Sequence, residues 1–167
     1  MPELTVYKYP HDILKKKAQP VTVFDEDLTR LIADMVETMG ANDGVGLAAP
    51  QVGKSLCLFV AAPRGGKGDI YTFINPVVTM GNETEYGPEG CLSVPGVYND
   101  VERARQVTVT YQDSTGKGQT LSAEGFLARI IQHEYDHLIG TLFIDRLGFS
   151  ERKTVLDEYK RLQHLAL

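Results

Sequence analysis

Residues 125–140 read GFLARIIQHEYDHLIG. Phe126, Ile130, His133 and His137 recur at i, i+4, i+7 and i+11, the repeat of one helix face. The stretch therefore predicts a helix whose inward stripe carries two histidines among apolar side chains. A histidine on such a stripe must find hydrogen bonds or bind something. Two of them four apart share a face, with Cβ atoms about 5–6 Å apart. Their rings can converge on one divalent cation at ~2.1 Å each. Glu134 follows the first histidine, so it can stand beside the cation without ligating it and take a proton from water there. The His-Glu-x-x-His pattern thus reads as hydrolysis of a carbonyl compound. A surface helix end carrying His-Glu and Asp-His also matches these five residues, because short motifs recur by chance. The apolar stripe argues against that reading.

One helix face supplies two ligands, and a catalytic site usually needs a third. Glu89-Gly90-Cys91-Leu92-Ser93 offers Cys91, set between Gly90 and the turn-forming Val94-Pro95-Gly96. Two imidazoles, one thiolate and an open position suit zinc or ferrous iron. Taken alone, Cys91 reads first as a small buried apolar residue.

The chain has 167 residues, read as one domain (1–167) with a single sizeable core. Hydrophobic residues make up 43% and charged residues 23%, ordinary for a soluble globular protein. The net charge of −5 argues against nucleic acid as the main partner. Lys15-Lys16-Lys17 is too short a basic run to change that and reads as a solvated face. No apolar stretch approaches the ~18 residues of a membrane span. The start, MPELTVYKYP, lacks the charged and apolar regions of a signal peptide. The second cysteine, Cys57, lies in the apolar run Leu56–Val60, where a buried structural thiol is expected. A reducing compartment disfavours a Cys57–Cys91 disulfide.

Leu28, Leu31, Ile32, Met35 and Met39 keep helical spacing, with Asp25 or Asp27 as cap and Gly40 as terminator. Strands are expected over Leu56–Ala61, over Tyr71–Ile74 and among Val77–Tyr86. Val107, Val109 and Tyr111 alternate with polar residues, and Ser114–Gly118 turns this strand back into Gln119–Ala123. Gly65-Gly66-Lys67-Gly68 lacks the surroundings of a phosphate loop and reads as a turn. Beyond the histidine helix come a short apolar segment, Leu142-Phe143-Ile144, and a C-terminal helix. Ser150 is the candidate cap of that helix, and Val155, Leu156, Tyr159, Leu162 and Leu165 form its apolar side. Without regular βαβ alternation, the fold class is α+β: antiparallel or mixed strands packed around a central metal-binding helix.

Gly44-Val45-Gly46-Leu47-Ala48-Ala49-Pro50-Gln51 is a second glycine motif, which by itself reads as a tight turn entering a strand. GVGLAAPQ at 44–51, EGCLS at 89–93 and QHEYDH at 132–137 together resemble peptide deformylase, in that family's order and near its spacing. YPHDILKKKAQPV near the start and FIDRL at 143–147 are similar to it too, so the resemblance spans nearly the whole chain. It implies removal of the formyl group from the N-terminal formyl-methionine of new polypeptides. It implies Cys91, His133 and His137 as metal ligands, with Fe(2+) as native ion and Zn(2+), Ni(2+) or Co(2+) as substitutes. It implies Glu134 as general acid/base, and the Gln51 amide with the Leu92 N–H as oxyanion donors. Backbone near Gly46 would pair with an extended substrate.

A formyl group needs a tight pocket, and methionine an apolar slot. Phe126 and Ile130 on the helix stripe, with Val45 opposite, are expected to form that slot, with the aliphatic stem of Arg129 at its rim. Glu89 and Arg103 read either as an ion pair steadying the Cys91 loop or as two independent surface charges. Tyr98 stands where many family members have Arg. The expected setting is the cytoplasm of a bacterium, with nascent formyl-methionyl peptides near the ribosome as partners and the enzyme monomeric. Two rivals remain. A metallopeptidase cutting internal bonds usually takes a later His or Glu as third ligand; the only later His is His164, in an amphipathic terminal helix, and Cys91 upstream fits deformylation better. A non-catalytic binding module has no use for Glu134, Gln51 and Cys91 together.

Overall fold

Asp25 caps helix α1 (Glu26–Ala41), its Oδ1 accepting the Leu28 N–H at 3.0 Å. Gly40 lies inside the last turn rather than ending it. The helix closes at Asn42, and the Gly44 N–H turns back to the Met39 carbonyl. In this computed structural model, residues 3–165 are described. Strands β1 (Gly46–Ala48), β2 (Leu58–Ala61), β3 (Tyr71–Met80), β6 (Gln106–Gln112) and β7 (Gly118–Glu124) form one antiparallel sheet in the order β1-β2-β3-β6-β7. Strands β4 (Thr84–Cys91) and β5 (Val94–Ala104) form a separate two-stranded ribbon. Helix α2 (Gly125–Leu138) carries the histidines, and α3 (Phe149–Leu165) ends the described chain.

All four residues of β2 are buried because helices cover both faces of the sheet. Phe59 and Ala61 pack with Phe73, Val109, Ala128, Ile130 and Ile131 on the α2 side. Leu58 and Val60 pack with Leu28, Met35, Met39 and Leu47 on the α1 side. A third cluster joins the ribbon to α3: Val94, Val97 and Val101 meet Phe143, Ile144, Val155, Leu156 and Tyr159. Leu165 is exposed, so the apolar side of α3 stops at Leu162. That helix starts at Phe149, one residue before the expected cap Ser150.

The ribbon departs most from expectation. Val94-Pro95-Gly96 opens β5 instead of forming a turn, and the actual turn is Leu92-Ser93, framed by the Cys91–Val94 pair. Gly96 at φ 85° breaks the two-residue alternation. Tyr71–Ile74 continues through a register shift into one strand ending at Met80. Cys57 lies just before β2, half-buried, with its thiol directed to the Ala18 carbonyl. Both cysteines are free. Lys15, Lys16 and Lys17 are exposed, and no helix among the described residues is long and apolar enough to cross a membrane.

Candidate metal centre

Helix α2 is buried over most of its length, which turns a histidine pair into a metal candidate. His133, Glu134 and His137 are 8%, 4% and 1% exposed. Their rings lie 5.2 Å apart between centroids, on one face as the four-residue spacing requires. Cys91, the last residue of β4, brings its Sγ to 3.5 Å from His137 Nε2. Ligand atoms of Cys91, His133 and His137 all lie within 4.8 Å of one another, the one such cluster among the described residues. Donors at ~2.0–2.3 Å around a tetrahedral ion stand about 3.3–3.8 Å apart, inside that limit. Glu134 Oε1 is buried with no hydrogen-bond partner, and Oε2 lies 3.8 Å from His133 Nε2, so the carboxylate stands beside the cluster with acceptor capacity unused. Sulfur with two imidazoles, beside an unused carboxylate oxygen, fits a divalent zinc- or iron-type cation.

The electrostatics agree. Burial raises the Glu134 carboxyl to about 7 despite the opposing pull of His133, into the range of a working acid/base. Burial, then the charges of His133 and Arg103, push His137 well below its ordinary value, leaving the neutral imidazole that ligation requires. Burial also opposes a proton on His133. The carboxylate of Glu134, with Cys91 and Glu89, overcomes it and raises that ring's affinity for positive charge.

Glu89 and Arg103 are a buried pair, not surface charges. Arg103 Nε and Nη2 each donate to Glu89 at 2.8 Å, and Glu89 Oε1 lies 2.9 Å from His133 Nδ1. That contact leaves His133 Nε2 for a metal. Burial alone would raise the Glu89 carboxyl; bonds from Arg103 and His133 outweigh it and hold the group at about 2. Arg129 turns its guanidinium inward, donating to Glu89 Oε2 at 2.9 Å and to the carbonyls of Glu85, Gly87 and Val101, so it braces the ribbon. The same residue is among those lining the cleft.

The cleft over the site measures about 500 Å³, and Val45, Gly46, Gln51, Leu92, Phe126 and Ile130 are among its lining. Ile130 is buried, and Phe126 is half exposed at the edge. Tyr98 also lines it, 69% exposed. Gln51 follows β1 in a short 3-10 turn. Its Oε1 accepts the Ala48 N–H, and its Nε2 donates to Ser93 Oγ at 3.1 Å and toward Cys91 Sγ at 3.5 Å. The expected oxyanion donor therefore already leans on the sulfur. Residues 7–9 brace both loops from behind: Tyr7 N–H donates to Gln51 O, Ser93 Oγ to Tyr7 O, and Tyr9 N–H to Ser93 O. His164 is exposed on α3 and absent from the cluster, so it supplies no third ligand.

A sequence model of the family described as Polypeptide deformylase matches residues 3–153. This chain belongs to the polypeptide deformylase family. A peptide deformylase of Wolinella succinogenes is 43% identical over 98% of the chain and 99% of its own length. One from Symbiobacterium thermophilum is 49% identical over 86% of the chain, which spans 66% of that protein. The crystal structure of a peptide deformylase from Legionella pneumophila superposes with a TM-score of 0.91 at 43% identity, covering 98% of both chains. The α+β class and the C-terminal helix are thus those of deformylases.

Sequence reasoning missed three polar anchors. Gln132 mimics a strand neighbour: its Oε1 accepts the Ala104 N–H and its Nε2 donates to the Ala104 carbonyl, both at 2.9 Å. Ser93 links Gln51 to Tyr7. Asp136 accepts from Arg103 at 2.7 Å and from Arg146 at 2.8 Å. Only position inside the quoted motifs could have flagged Ser93, Gln132 and Asp136.

Proposed function

We propose that Cys91, His133 and His137 hold one divalent cation, Fe(2+) natively, and that Glu134 serves as the acid/base in deformylation. The reaction is the family's: hydrolysis of the N-terminal formyl group of new polypeptides, releasing formate. The bound cation supplies Lewis acidity and makes water nucleophilic at neutral pH. The Glu134 carboxylate takes a proton from the attacking water and returns it to the departing amine. Gln51 Nε2 and the Leu92 N–H donate to the oxygen that gains charge. Zn(2+), Ni(2+) or Co(2+) can replace iron in such a donor set.

Val45, Phe126 and Ile130 supply the apolar slot for methionine. Strand β1 is the outermost of its sheet, so backbone around Gly46 offers an edge to an extended peptide. The enzyme acts as a monomer in the bacterial cytoplasm, on peptides close to the ribosome, because its substrate is a newly made N-terminus.

The observation that carries this reading is the convergence of one sulfur and two imidazoles within 4.8 Å beside the buried Glu134 carboxylate, whose Oε1 has no partner. Anaerobically prepared, metal-analysed protein should release formate from formyl-Met peptides and leave unblocked peptides intact. Metal-replete protein that releases no formate overturns the reading.

A further inference from the structure

We propose that Asp136 is a positioning residue for the metal ligands, acting through Arg103 and Glu89 on His133, with Arg146 as its outer support. The proposal rests on the ligand assignment above and adds a chain of charges that no catalytic role requires.

Arg103 on β5 stands between two buried carboxylates from different elements. Nε and Nη2 donate to Glu89 on β4, and Nη1 donates to Asp136 on α2 at 2.7 Å. The side chains of Arg103, Glu89 and Asp136 are all 4% exposed or less. Cys91 lies two residues after Glu89 on the same strand, and His133 and His137 flank Asp136 on the helix. One guanidinium therefore pins the strand bearing the sulfur to the helix bearing the nitrogens. The same carboxylate that takes two bonds from Arg103 orients His133 through Nδ1.

Asp136 is fixed in turn from outside. Arg146, in the short turn after α2, donates through Nη2 to Oδ1 at 2.8 Å and through Nε to Oδ2 at 3.1 Å. Its side chain is 43% exposed, so the chain runs from solvent to a metal ligand. Glu89 also accepts from Arg129, and two carboxylates face three guanidiniums. Neutralising Asp136 leaves Arg103 and Arg146 both without that acceptor charge. Arg103 is then held from one side only, and Glu89 loses the rigidity that fixes the ring of His133.

The test uses Co(2+)- and Zn(2+)-loaded full-length protein and reads metal release to a chelator, the visible Co(2+) spectrum and urea stability, separately from formate production. Asp136→Asn should speed metal release about tenfold or more, the usual scale for partners behind a ligand, and shift the Co(2+) bands. In a Glu89→Gln background the same change should add little. Arg146→Gln lies at the exposed end and keeps the fold if Asp136→Asn does not; it should move release in the same direction by a smaller factor. Wild-type release and spectra in both variants, with only the urea midpoint lowered, overturn the proposal. So does a full multiplicative effect in the Glu89→Gln background. Because chelator release is read without substrate, failure of formate production would leave this test standing.

Discussion

Gly46 has no side chain, and the centre needs that space. A Cβ built there would sit 2.5 Å from Glu134 Oε2, 2.9 Å from its Cδ and 2.9 Å from Ile130 Cγ2. Carbon contacts settle near ~3.5–4.0 Å, so Gly46→Ala must push the carboxylate back by roughly 0.5–1 Å. The backbone does not object, because Gly46 lies in strand β1 without a positive φ. The effect is therefore steric and falls on two side chains, most severely on Glu134 and less so on Ile130. Misplacing a reacting group by ~1 Å costs about 10²-fold in rate, while overpacking costs ~1–3 kcal/mol of stability. Glu134 is not a ligand in this reading, so Gly46→Ala should lose about 10²-fold in kcat for formate release and keep one metal per chain. Steady-state kinetics with elemental analysis of the same sample decides. A kcat within about threefold of wild type, against the ~10² expected from such a shift, would show that the carboxylate needs no fixed place and refute the argument.

Glu134→Gln should lower formate release by ~10²–10⁴ with metal content held; normal turnover would remove Glu134 from the chemistry. Cys91→Ser replaces a soft donor with a hard one, so metal retention should fall or its preference shift away from zinc and iron. Equal stoichiometry and unchanged activity after dialysis would count against sulfur ligation. Asp113 offers a test far from the centre. Bonds from Thr115 and Gln119, then backbone N–H groups of Thr115 and Lys117, hold its carboxylate at about 2. A depressed folded-state value stabilises above the ordinary value of 3.8 and fades as pH falls toward 2. The urea-midpoint gap between wild type and Asp113→Asn should thus narrow from pH 5 to pH 3, and a constant gap would contradict the linkage.

Elements with one clean period were legible in the sequence: α1, α2, the β6–β7 hairpin and the body of α3. The ribbon was not. Gly87, Pro88, Gly90, Pro95 and Gly96 are poor strand formers, and the buried valines at 94, 97 and 101 follow no two-residue beat because Gly96 interrupts it. Within the site, the spacing of His133, Glu134 and His137 carried its own chemistry. Cys91 needed the company of the other motifs, since one thiol has no local signature. The Glu89–Arg103 pair, 14 residues apart, was legible only as one of two readings because burial has no local sign, and the Arg103–Asp136 pair, 33 residues apart, was not legible at all. The inward bonds of Arg129 were illegible for a related reason: nothing local reveals its four distant acceptors.

The brace from residues 7–9 has a consequence for assembly. Tyr7, Gln51, Ser93 and His137 span most of the chain, yet they end within a few bonds of one another. No contiguous fragment short of that span contains the finished receptacle. A cation held at Cys91, His133 and His137 would thereby depend on closure of the longest loops, whose entropy is lost before distant contacts offset it. With those three as the proposed ligands, a chain shorn of its first ten residues should therefore bind its ion loosely even with every ligand intact.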